Sequence, residues 1–155
     1  MIDSINAQLE DWKYGRDLIK HFITELDDIS LDKEFPRKNL NTIRKQCEEV
    51  IQVQGCYVEA LTTGFISFNY APLSDITKSG LISMMDQLDN DMEKKLEVYT
   101  GGETIDWFGE KWLINRHLSA MIGHEQMHIG QIIGFCYCIN IDIPKYIKQT
   151  MALND

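Results

Sequence analysis

No run of apolar residues in this sequence approaches the roughly 18 that a membrane span requires, and no membrane association is expected. Its opening stretch, MIDSINAQLEDWKYG, has neither the basic nor the apolar segment of a secretory signal, so a cytoplasmic location is expected. Proline and glycine are sparse, three and ten in 155 residues, which argues against a loop-rich or disordered chain. Basic residues are outnumbered, 15 Lys and Arg against 24 Asp and Glu, for a net charge of −9. Nucleic-acid binders show a basic face. Here the longest basic cluster, PRKNLNTIRK, reads as a solvated helix start, and no nucleic-acid partner is expected. The same charge disfavours an anionic membrane surface. Cys-x-x-Cys pairs are missing too. Cys47, Cys56, Cys136 and Cys138 all fall in apolar helical patterns, as buried free thiols of a reducing compartment would.

What is present is helical periodicity. The chain is long enough for one domain, residues 1–155, and neither a repeat nor a linker divides it. A first helix is expected from Ile5 to Leu26, with Leu9, Trp12, Leu18, Ile19, Phe22 and Leu26 spaced by threes and fours. DDISLDKEFPRKN breaks it around a proline that a helix interior disfavours. A second helix is expected from Leu40 to Thr63 with Asn41 as its N-cap. TGFISFNYAPLS then reads as a loop with aromatic anchors. The third helix runs to Tyr99 from a cap at Ser74 or Asp75, with the stripe Ile76, Leu81, Met84, Leu88, Met92 and Leu96. TGGETIDWFGEKW is a glycine-containing turn region with room for a short hairpin, although strand signal elsewhere is nearly nil. The fourth helix spans Leu113 to Asn140, and a short one follows Pro144. The expected fold is all-α: a four-helix bundle with a long connection before its last helix and a short C-terminal helix. Another all-α packing is the alternative.

The fourth helix contains GHEQMHIGQ, a His-Glu-x-x-His pattern at His124, Glu125 and His128. In zinc proteases this pattern needs a third ligand further along the chain. No glutamate follows Glu125. The alternative metzincin spacing would need glycine and histidine where Gln131 and Gly134 stand. A protease is therefore not expected. The helical wheel puts His117, Met121, His124, His128 and Phe135 in one narrow stripe of an otherwise largely apolar helix. A buried imidazole without partners is costly. A divalent metal would satisfy the pair, and so would hydrogen bonds in a core without metal. On the second helix, Glu49 shares a stripe with Val53, Cys56 and Ala60, whereas Glu48 falls with Gln52, Gly55 and Glu59 on a solvated face. Glu49 is the better inward carboxylate. His117 is two turns from His124, about 10 Å along the axis, too far to share one ion with His128.

HEQMHIGQI late in a final long helix, the second-helix segment NLNTIRKQCEEVIQVQGCYVEAL and the early tryptophan together resemble the DinB-like (YfiT-like) family of metal-dependent four-helix bundles. The resemblance implies a divalent metal, nickel or zinc foremost and manganese or iron next, facing a pocket and held by three histidines. Two of these match His124 and His128. The first aligns with Glu49, a departure that exchanges an imidazole for a carboxylate. The resemblance also implies a homodimer and, in some branches, transfer of a low-molecular-weight thiol to a small-molecule substrate.

The expected function is a metal-dependent thiol transferase or hydrolase, in which the metal acidifies a thiol or a water. Its ligands would be Glu49, His124 and His128. Glu125, on a different stripe, reads as an outer hydrogen-bonding partner of the site rather than a general base, and His117 and Gln131 as residues lining the pocket. The competing expectation is a non-catalytic dimeric bundle with a degenerate site, serving as a binding or structural module.

Overall fold

A computed structural model describes residues 2–153. Among them are six helices, four of them long: α1 (Asp3–Glu25), α2 (Asp28–Asp32), α3 (Ile43–Thr63), α4 (Lys78–Leu96), α5 (Ile114–Ile139) and α6 (Lys145–Thr150). A two-stranded antiparallel hairpin, β1 (Thr104–Trp107) and β2 (Glu110–Leu113), occupies the connection between α4 and α5. The all-α class and the short helix after Pro144 agree with the sequence pattern. No helix among these residues is long and apolar enough to cross a membrane.

Local chemistry sets the boundaries. α3 starts three residues later than its periodicity suggests, because Leu40 adopts a left-handed φ of 49° that no helix interior accommodates. Thr42, not Asn41, is the cap, its hydroxyl accepting the Lys45 N–H at 3.1 Å. The helix ends at Gly64, whose φ of 80° suits the left-handed C-cap. α4 is capped by Thr77 rather than by Ser74 or Asp75, and Asp75 instead accepts the Thr77 N–H at 2.9 Å. Ile76 therefore lies outside the helix and is exposed. The hairpin turns on Phe108 and Gly109, with φ of 51° and 95°, the paired positive values of a type I′ turn. α2 went unread in the sequence. It is a single short turn, started by the Asp27 carboxylate accepting the Ser30 N–H at 2.7 Å.

α1 and α3 each pack chiefly against α4 and α5, with a smaller contact between α1 and α3. The interior falls into two apolar clusters. One gathers Leu18, Phe22, Ile43, Ile51, Leu81, Met85, Ile129 and Ile132. The other gathers Ile5, Trp12, Val53, Tyr57, Met92, Ile105, Ile114 and Met121. Between them along the chain, every long helix contributes one polar residue: Arg16, Gln54, Asp89 and Glu125. Arg16 bonds Gln54 Oε1 at 2.6 Å and lies 3.4 Å from Asp89 and 3.2 Å from Glu125. Buried charges persist only when paired in this way. Cys47, Cys56 and Cys136 are buried free thiols as expected, but Cys138 is exposed on the outer side of α5.

Candidate metal centre

α5 is apolar over much of its girth, and α3 lies against the stripe that carries the histidines. Ligand atoms of Glu49, His124 and His128 all fall within 4.8 Å of one another, a grouping able to hold a metal ion. His128 Nε2 is 3.2 Å from His124 Nε2 and 3.5 Å from Glu49 Oε2. His128 is buried, whereas His124 and Glu49 are half-buried and form the solvent side of the cluster.

Hydrogen bonds determine which nitrogens of this site are available. Gln46, fully buried on α3, donates from Nε2 to the Leu40 carbonyl at 2.7 Å. Its Oε1 is thereby left to accept, and it does so from His128 Nδ1. A proton held on Nδ1 leaves the His128 Nε2 lone pair directed toward Glu49 and His124, the arrangement a ligating histidine requires. Burial pushes the His128 pKa down to about 4, helped by the charges of His124 and Arg37. Burial lowers His124 as well. Both imidazoles are therefore neutral near pH 7. Burial raises the Glu49 carboxyl, and the nearby Arg37 charge opposes that rise. Glu49 Oε2 is enclosed and has no hydrogen-bond donor. Its contact with a neutral imidazole is not an ion pair. The Glu49 oxygen facing the imidazoles is thus left without a donor, and a cation between them would resolve this. The donor set, two nitrogens and one carboxylate oxygen, suits a divalent transition metal or zinc.

The other residues singled out in the sequence have different roles. His117 is wholly buried where α5 meets the hairpin. Its Nδ1 accepts from Trp107 Nε1 at 3.0 Å, so its Nε2 donates to the Tyr57 carbonyl, also at 3.0 Å. Both nitrogens are occupied, and His117 lines no site. Glu125 does not support the histidines. It lies on the neighbouring stripe and turns toward α1, accepting from Trp12 Nε1 at 3.0 Å and pairing with Arg16. The outer partner of the site is Gln46 instead. Gln131 does lie beside the cluster, one turn beyond His128, where its Oε1 accepts from Arg37 Nη1 at 2.8 Å.

Sequence reasoning missed Gln46 and Arg37. Gln46 left a faint signal, as an amide on the apolar face between Ile43 and Val50, one turn before Glu49. Arg37 left none, because it lies in the segment preceding α3 and its position depends on how that segment folds back. A cleft of about 350 Å³, lined by Gln52, Cys56, Tyr70 and Met84 among others, lies on the adjoining face of α3 and includes none of the three cluster residues. Compared with known proteins, the chain matches no family model and no curated sequence.

Proposed function

We propose that Glu49, His124 and His128 form the metal centre of an enzyme acting on a small molecule, as a thiol transferase or a hydrolase, within a four-helix bundle of the DinB-like kind. The observation that carries this is the convergence of two neutral imidazoles on an enclosed carboxylate oxygen that lacks any donor. A bound divalent ion, nickel or zinc foremost, supplies Lewis acidity that lowers the pKa of a coordinated thiol or water. The chain's own contributions are distinct. Gln46 keeps the proton of His128 on Nδ1. Burial keeps both imidazoles unprotonated. Glu49 adds the negative charge that offsets part of the cation's. Glu125, held by Arg16 and Trp12, is not available as a base.

The test is elemental analysis of protein purified without chelators, followed by titration with nickel, zinc and manganese. One equivalent per chain is expected, with uptake strongly weakened in Glu49→Ala. Absence of uptake for all three ions would overturn the proposal. The 3.2 Å contact between the histidine Nε2 atoms favours a second reading. One imidazole donating to the other needs no ion, so the bundle would be a non-catalytic binding or structural module. Homodimerisation remains part of the proposal. It is supported by the outer side of α5 beyond Arg116, where Gly123, Met127, Gly130 and Gly134 are exposed and carry no charge. A monomer by light scattering at micromolar concentration would overturn that part.

A further inference from the structure

The chain has four arginines, and three of them are paired with carboxylates. Arg16 pairs with Asp89 and Glu125, Arg44 with Asp28 and Asp32, and Arg116 with Glu110. Arg37 has no carboxylate within ion-pairing distance among the described residues, in a chain where acidic side chains outnumber basic ones. It is nonetheless held in place. Nη1 donates to Gln131, and the guanidinium lies 5.8 Å from the centre of the Phe135 ring. Gln131 and Phe135 share the α5 stripe of His124 and His128 and begin one turn beyond it, about 4.5 Å along the axis.

The segment that carries Arg37 is anchored on the same stripe. Phe35 stacks on Phe135 with centroids 4.3 Å apart, and its N–H closes the loop onto the Asn41 carbonyl at 2.6 Å. The Leu40 carbonyl in that loop also orients Gln46, and through it His128. One loop thus places a guanidinium beside the cluster and sets the direction of one of its imidazoles. Arg37 is half-buried, and none of its guanidinium nitrogens is enclosed without a partner, so the N–H groups not bonded to Gln131 remain open to solvent.

We infer that Arg37 is the substrate-anchoring residue of this site and that the substrate carries a carboxylate a few ångströms from the atom presented to Glu49, His124 and His128. This rests on the metal-centre reading for its second half only. The guanidinium presents the planar fork that matches a carboxylate bidentately. A monoanion is preferred over a phosphate dianion, because Glu49 and the overall charge of −9 oppose the second negative charge. Gln131 and Phe135 position the fork and leave it free to bind.

The test uses 3-mercaptopropionate and the neutral 2-mercaptoethanol as probes. With cobalt-loaded protein, the thiolate-to-cobalt absorption band reports binding. Arg37→Gln is expected to weaken 3-mercaptopropionate at least about tenfold, the lower range for a charge-assisted pair, while leaving 2-mercaptoethanol and cobalt uptake unchanged. Arg37→Lys should fall between the two. Equal losses for both thiols, or no loss for either, would overturn the inference. Inorganic phosphate competing better than propionate would overturn the carboxylate assignment. Independently of any metal, the Arg37 Nε–H resonance should shift with millimolar 3-mercaptopropionate and stay still with 2-mercaptoethanol. No shift in either the metal-free or the zinc-loaded protein would overturn the inference. Failure of cobalt or zinc to bind would instead overturn the metal centre and leave the resonance to decide on Arg37.

Discussion

Glu125 and His128 are three residues apart, and their environments give them opposite roles. Glu125 faces Arg16 and Trp12 across the helix interface, and burial raises its pKa despite the arginine. Glu125→Gln should therefore lower stability by about 1–3 kcal/mol in chemical denaturation, because Arg16 loses one of its two carboxylates. Metal affinity should be unchanged, and a large loss of affinity would place Glu125 at the site after all. Gln46→Ala should do the reverse. It removes the acceptor that holds the His128 proton on Nδ1, and isothermal titration should show metal affinity falling by about 10–100-fold. Glu49→His should keep or tighten binding if three imidazoles fit the same space. His117 provides a pH test. Burial lowers its pKa from 6.5 to about 4 in the folded chain. The unfolded chain then binds the proton more tightly, so this contribution is complete above pH 6.5 and is lost as pH falls toward 4. It amounts to on the order of 3 kcal/mol. Denaturation of wild type and His117→Gln at pH 7 and pH 5 should show the smaller pH dependence in the variant.

At the scale of elements, the segment from Lys33 to Asn41 does more than connect α2 to α3. Phe35 anchors it on Phe135, Leu40 turns it, and Thr42 starts the helix that carries Gln46 and Glu49. Thr42→Ala should cost about 1 kcal/mol, since a hydroxyl that accepts a first-turn N–H is lost. Phe35→Ala should cost more, about 3 kcal/mol, by emptying a buried aromatic position. It should also weaken carboxylate binding at Arg37 through the same loop, and thermal melts alongside probe titrations would separate the two effects. The periodicity of the long helices showed where they lie, within a few residues. It did not show their ends, because ends depend on hydroxyl caps and on left-handed residues such as Leu40, and neither has a period.

At the scale of the molecule, the polar layer of Arg16, Gln54, Asp89 and Glu125 couples the four long helices at mid-height, and the candidate centre lies on α3 and α5 near that level. A metal that binds only the folded chain stabilises it by mass action, about 2.7 kcal/mol at 100 times its dissociation constant. Thermal unfolding with added nickel or zinc should shift upward, return on adding chelator, and show no shift in Glu49→Ala. An equal shift in Glu49→Ala would place the ion elsewhere.

The sequence by itself determined the all-α class, the long helices and the two separate stripes that carry His124 with His128 and, on another helix, Glu49. Each of these follows from spacings repeated along one helix, which reside in local order. Only the tertiary structure decided that Glu49 meets the histidines, that Glu125 and His117 belong to other partners, and that Gln46 and Arg37 attend the site. Those facts depend on which face of α3 meets which face of α5 and on how one loop folds back over them. Contacts between distant segments arise from packing and leave no periodic trace in the chain.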